Sequence, residues 1–257
     1  MRPLVIGLGR SGGQILNWFL ERVWDDVAPE TLAVDVTEHH LDGLHNKETL
    51  LLGRDNPAAD LKTLPTNVAR MIVQDEMDRL RPYLGDHDPL WIVTGLGGSF
   101  GTEAALAIAG EAQKAGRKTF AAVSFPFDFE PDKRLEKAEG ARDKLQLYTD
   151  ETFCLRLQLI MNYLQQEEIE KWKVFKHANQ VMSNLLYFLM TPMLRGSQTD
   201  LEALERLSNL SFMQKRNLLM NAFAPGWRKD WNDSPVAGEC FDDSRPFWER
   251  IQKKETE

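Results

Sequence analysis

Short unbroken apolar runs alternate with stretches of helical spacing through the first two-thirds of the chain. Pro3–Ile6 runs directly into Gly7-Leu8-Gly9, as a buried strand feeding a tight turn does. Gln14–Val23 then spaces Ile15, Leu16, Phe19, Leu20 and Val23 as one helix face. Thr31–Val34 reads as a second strand and Leu50–Leu52 as a short third; Leu61–Leu84 reads as helical beyond the Asn56-Pro57 loop. Leu90, Trp91, Ile92 and Val93 form a run without polar interruption, the pattern of a strand covered on both faces. A helix over Thr102–Ala115, a strand over Thr119–Ser124 and a charged amphipathic helix over Pro131–Tyr148 follow. Thr152–Leu157 predicts a sixth strand, although Arg156 interrupts it. From Ile160 to Leu194 the spacing is helical, with a break near Gln165–Glu168, and Asp200–Asn221 predicts one more helix. After Ala224, Pro, Gly, Trp and Asp crowd together, so the tail is expected to be irregular or to wrap back on the body. This alternation predicts an α/β fold: a doubly wound, mostly parallel sheet, a long central helix and a short C-terminal tail.

Composition narrows the class without choosing a function. The 257 residues fit one large domain, or one with a small appendage. Net charge is −8 and the basic residues form no stripe, which argues against a nucleic-acid partner. Cys154 and Cys240 make neither a CxxC pair nor a disulfide framework, so plain thiols in a reducing compartment are expected. The apolar run before Gly7 is too short for a signal peptide or a membrane span, and a cytoplasmic location is expected. His39, His40 and His45 lie close together, but no Cys or carboxylate stands at metal-like spacing, so solvated loop histidines are the expectation.

Two glycine-rich turns carry the chemistry. Gly7-Leu8-Gly9-Arg10-Ser11-Gly12-Gly13 and Thr94-Gly95-Leu96-Gly97-Gly98-Ser99-Phe100-Gly101-Thr102 each follow a buried strand and precede a helix. Glycine lets a phosphate approach backbone N–H groups, and the following helix adds unpaired N–H groups and a positive dipole end. The first turn alone nearly matches the dinucleotide fingerprint, with Asp35 ending the next strand, and so admits a nicotinamide-dependent oxidoreductase. Two such turns opening on one sheet edge favour a polyphosphate ligand instead. No GxxxxGK[ST] motif is present, which excludes a P-loop enzyme.

At these residues the chain resembles the tubulin/FtsZ family. Gly97-Gly98-Ser99-Phe100-Gly101-Thr102 is similar to the family's GGGTGTG phosphate signature, and Gly7 to Gln14 to its first glycine loop. Ala33 to Leu41 is similar to AxNTDxxxL, and Leu52-Gly53-Arg54-Asp55-Asn56-Pro57 to LGxGxNP. Phe125-Pro126-Phe127-Asp128-Phe129-Glu130, with Arg134 behind it, resembles KPFxFEGxxR. Phe175-Lys176-His177-Ala178-Asn179-Gln180-Val181 resembles the start of the central helix. The resemblance implies that GTP or GDP binds, with Mg2+ as an optional companion. It implies that Gly9, Arg10, Gly12, Gly13, Gly97, Gly98, Gly101 and Thr102 hold phosphates, that Glu130 and Arg134 hold the ribose, and that Phe175 and Asn179 hold the base.

The departures shape the expected activity. Phe100 and Glu103 replace Thr and Gly of the signature, and a carboxylate near a terminal phosphate would repel it. Family members hydrolyse GTP when a neighbouring subunit supplies acids from NxDxxD. Here Asp200 keeps the first acid, Ala203 stands at the second, and Glu202 lies one residue off register. A GTPase whose turnover needs self-association, or contact with another FtsZ-like protein, is therefore one expectation. A regulatory or scaffold module that kept the fold and lost turnover is the other. The division expected is residues 1–195 as the nucleotide-binding domain with its central helix, and 196–257 as a reduced C-terminal segment in place of the family's second domain.

Overall fold

Five apolar residues without a break, each buried, make β1 (Leu4–Leu8) the centre of the molecule. A strand buried on both faces belongs inside a parallel sheet. β1 pairs in parallel with β2 (Glu30–Asp35) on one side and β4 (Leu90–Gly95) on the other. β3 (Glu48–Leu51) extends the sheet beyond β2; β5 (Thr119–Phe125) and β6 (Glu151–Arg156) extend it beyond β4, all parallel. The computed structural model describes residues 3–21, 29–45, 48–56, 64–85, 89–158, 174–194 and 241–242.

Helices cover both faces, as right-handed crossovers require. The interdigitated side chains of Ile6, Leu8, Leu32, Ile92 and Val123 pack in one core with Ile72, Leu80, Ala105 and Ile108. These come from α3 (Thr66–Asp75), α4 (Met77–Leu84) and α5 (Phe100–Lys114); α6 (Asp132–Tyr148) adds Ala138, Ala141 and Leu145 to the same core. Alternation along the strands sends Trp91, Phe120 and Phe153 to the opposite face, where their rings stack at centroid distances of 4.8 and 6.2 Å from Trp91. α1 (Gly9–Leu20) packs on β1 and β4 and against α7 (Val174–Leu194), the long central helix.

Three sequence expectations change. The helical stretch ending at Leu84 is two helices among the described residues, broken at Glu76, whose φ of −105° and ψ of 14° are not helical. Its carboxylate accepts the Gly53 amide at 2.5 Å and pairs with Arg79, so the break anchors the loop after β3. Arg156 does not interrupt β6 but ends it, exposed at the carboxyl edge with its guanidinium 6.0 Å from the Phe125 ring centroid. The tail contributes β7 (Phe241–Asp242), which pairs antiparallel with Leu155 and Cys154 and makes a seventh strand. The helix expected over Asp200–Asn221, Trp227, Trp231, Trp248 and Cys240 lie outside the described residues. Among the described residues no helix is long and apolar enough to cross a membrane.

Candidate functional site

The strand order β3-β2-β1-β4-β5-β6-β7 reverses direction between β1 and β4. In an open parallel sheet the crossover helices diverge at such a switch point and leave a crevice at the carboxyl ends of the strands. Both glycine turns leave the sheet there. A cavity of about 480 Å3 opens at this edge, lined by Leu8–Ser11 after β1, Asp35–Thr37 and His40 after β2, Thr94–Gly95 and Gly97–Gly101 after β4, and Arg134 of α6, with Leu64 at the rim.

Positive φ at Gly9 (68°) and Gly97 (86°) allows each turn to fold back over the strand end. A Cβ at Gly97 would stand 2.6 Å from the Arg134 carbonyl oxygen, so the second turn nests directly on α6. At Gly101 a Cβ would stand 2.5 Å from Thr94 Oγ1 and 3.1 Å from the Leu8 carbonyl oxygen. Gly9 and Gly101 are themselves neighbours, a Cβ on the former lying 3.4 Å from the latter's Cα. The two turns thus touch and form one floor.

That floor is electropositive. Neither α1 nor α5 has a side chain capping its first N–H groups, and α1 has no acidic residue in its first turn. The dipole of α1 therefore ends on the cavity without an internal counter-charge. Arg10 adds a charge at the wall, and Arg134 adds one that is shared with Glu130. Glu103, the one acid in the first turn of α5, turns away: it pairs with Arg70 Nε at 2.9 Å and faces Lys137 Nζ at 3.5 Å, buried between α3, α5 and α6. Burial pulls the Lys137 ammonium below its ordinary range, and Glu103 opposes that shift. Charge repulsion of a phosphate by Glu103, raised by the sequence, thus has no geometric basis. Phe100 is buried yet lines the cavity, a ring where the family signature has a hydroxyl.

At the α6 end a second set of groups gathers. Glu130 accepts the Phe127 amide at 2.9 Å and pairs with Arg134. Phe127 stacks on Phe129 at 5.1 Å and meets the edge of Phe175 from α7 at 4.9 Å. Phe129 and Phe175 are 63% and 51% exposed. Asn179 Nδ2 donates to Gln14 Oε1 at 2.9 Å and ties α7 to α1.

Of the residues singled out from sequence, Gly9, Arg10, Gly97, Gly98, Gly101 and Arg134 share the cavity wall. Glu130 is joined to that wall through Arg134, and Phe175 to Glu130's loop through Phe127. Gly12 and Gly13 lie deeper in α1, where a Cβ would strike the Val93 carbonyl oxygen and Leu44 respectively. Thr102 is buried in the first turn of α5, and its hydroxyl has no hydrogen-bond partner among the described residues. Asp200 and Glu202 lie outside the described residues. Sequence reading missed the link between Asp35 and His40. Asp35 Oδ1 accepts the amides of Val36 and Thr37 at 2.7 and 3.1 Å, and its Oδ2 hydrogen-bonds His40 Nδ1 at 2.9 Å. Burial lifts its carboxyl above the ordinary range, against the pull of His40. The signal lay in the five-residue interval that α2 (Glu38–Leu41) turns into a contact.

The sheet order and the twin glycine floor define an α/β protein with the tubulin/FtsZ GTPase-domain fold. The model for the tubulin/FtsZ family GTPase domain matches residues 3–165, more than half of the chain, and the chain belongs to that family. It is 29% identical over 178 residues to the cell division protein FtsZ of Buchnera aphidicola, covering 69% of this chain and 46% of that protein. With FtsZ of Aquifex aeolicus it shares 28% over 179 residues, 70% of this chain and 48% of that one. The chain thus spans about half the length of these curated relatives. Among solved structures it is similar in fold to an empty FtsZ dimer of M. jannaschii, with a TM-score of 0.69 at 20% identity over 76% of this chain and 56% of that one. CetZ2 of Haloferax volcanii, in a GTPγS-bound protofilament, gives a TM-score of 0.69 at 16% identity over 81% and 63%.

Proposed function

We propose that this protein binds GTP and GDP in the cavity at the carboxyl edge of its sheet. The observation that carries the reading is the joined floor of two glycine turns, each opening an uncapped helix N-terminus on one cavity that also holds Arg10 and Arg134. Such a floor suits consecutive phosphates, whose oxygens need several N–H donors and positive charge. In this reading Glu130 and Arg134 hold the ribose, Phe175 lies against the base, and Asn179 reads its edge. Gly12 and Gly13 serve by letting α1 sit low enough for its first N–H groups to reach the phosphates.

Asp35 separates this reading from a dinucleotide site. In a dinucleotide fold the acid closing β2 must have oxygens free for a ribose diol. Here Asp35 already accepts three hydrogen bonds. It is also the one carboxylate among the described residues lining the cavity, so the wall offers Mg2+ no second carboxylate. An accompanying Mg2+ would be held by phosphate oxygens and water, as this ion commonly is.

Hydrolysis, in this proposal, belongs to contact between copies, with Asp200 and Glu202 of one subunit facing the nucleotide of the next. The reading in which turnover has been lost rests on Phe100, which fills a hydroxyl position of the signature with a buried ring. Phosphate release assayed over a range of protein concentrations separates the two. A specific rate that climbs with concentration and collapses in Asp200→Ala supports the self-associating GTPase. Tight binding with no release at any concentration supports the module without turnover. Titration calorimetry of folded, nucleotide-stripped protein tests the binding itself: absence of heat with both GTP and GDP would sink it.

A further inference from the structure

The cavity extends to the end of β2, where the contacts proposed above leave Asp35 and His40 unused. We propose that His40, clamped through Nδ1 by Asp35, contacts the terminal phosphate of the bound nucleotide and makes the pocket prefer a triphosphate to a diphosphate. This inference rests on the guanine-nucleotide reading of the same cavity.

Strand order fixes the direction. Along the carboxyl edge the wall runs from Asp35–Thr37 and His40 after β2, across the turns after β1 and β4, to Arg134 beyond β5. From β2 to β5 is three inter-strand steps, about 14 Å. With sugar and base at the Glu130, Arg134 and Phe175 end, the phosphate chain crosses the glycine floor and its last phosphate arrives at β2. Among the described cavity-lining residues that follow β2, His40 is the one side chain able to carry positive charge; Arg10 stands on the neighbouring turn after β1.

Asp35 makes His40 suitable. Its carboxylate is 3% exposed and fixed by two backbone amides, so it holds the imidazole ring by Nδ1 and leaves Nε2 as the other ring nitrogen. A neutral ring with Nδ1–H bound to Asp35 presents an acceptor at Nε2, which a phosphate oxygen cannot use. An imidazolium presents donors at both nitrogens: one to Asp35, one to phosphate. It also cancels the charge of Asp35, which would otherwise repel the phosphate. Triphosphate binding should therefore draw a proton onto His40. The other charged groups around it are Arg10 from α1 and, on its own helix, Glu38 and His39, whose ring lies 6.3 Å away. On β3 the described charge is Glu48, which pairs with Leu32 at the far end of β2 from His40.

The test is titration calorimetry of the full chain with GTP and GDP near neutral pH, in two buffers of different ionisation enthalpy, for wild type and His40→Gln. The buffer difference counts protons taken up. Gln keeps the size and can still donate to Asp35, but it cannot take a proton. Expected are greater proton uptake with GTP than with GDP in the wild type, and a loss of roughly tenfold in GTP affinity with little change for GDP in the variant. Equal proton uptake for the two nucleotides in the wild type overturns the inference, whatever the variant does. So does a variant that weakens both nucleotides alike, or neither; the guanine-nucleotide site then stands without it. A wild type that binds neither nucleotide overturns both.

Discussion

Gly101 carries a packing demand that is separable from any ligand. Its missing Cβ is what lets α5 close against Thr94 and the end of β1. Gly101→Ala should cost about 1–3 kcal/mol of stability, the usual penalty for overpacking against backbone and a fixed side chain, and urea denaturation measures it. A variant as stable as wild type would show that the turn can shift. Asp35 makes a prediction about pH. A carboxyl held above its unfolded pKa of about 3.9 stabilises the fold fully below that value, and the contribution is lost as pH rises through the elevated folded pKa. Asn does not titrate, so Asp35→Asn should gain stability relative to wild type between about pH 4 and pH 7. Urea midpoints at both pH values check the sign, and a variant that loses ground over that interval contradicts it.

At the scale of elements, the ion cluster of Glu103, Arg70 and Lys137 clamps α3, α5 and α6 together. Glu103→Gln leaves Lys137 without its counter-charge and should destabilise by about 1–2 kcal/mol. GDP affinity should not change, because the carboxylate faces away from the cavity; a large gain in affinity would mean that Glu103 does act on the phosphates. On α7, Phe175 is half exposed and touches Phe127 edge-on. Phe175→Ala should therefore cost little stability but weaken GDP roughly tenfold, as read by fluorescence competition. The elements were largely legible because apolar runs and helical spacing report burial directly: the five residues of β1 and the face of Ile15, Leu16 and Phe19 could hardly be placed otherwise. What sequence spacing could not reveal was direction. Glu103 sits in the signature turn but points to α3, and His40 sits among loop histidines but points to Asp35. Both orientations depend on charged partners brought from elsewhere by the fold. β7 was illegible for a related reason: a two-residue strand has no period, and only the open edge of β6 defines it.

For the whole molecule, the sheet order places a crevice between β1 and β4, and the proposed function puts a mononucleotide rather than a dinucleotide there. The same order, β3-β2-β1-β4, would serve either ligand. The proposed distinction comes from the second glycine turn and from the aromatic groups of α7 and the loop before α6, which join the cavity wall through Glu130 and Arg134. Any turnover is expected to be a property of assembled copies rather than of one chain, and would appear as a specific rate that depends on protein concentration. The central claim is the guanine-nucleotide site itself. Its most direct test is calorimetric titration of the nucleotide-stripped protein with GDP and, in parallel, ADP. The account predicts saturable GDP binding, much weaker binding of ADP, and loss of the GDP heat in Gly98→Asp, where a Cβ has room at the cavity wall and the added carboxylate would oppose the phosphates. Equal affinity for the two nucleotides, or no binding of GDP by folded protein, would contradict it.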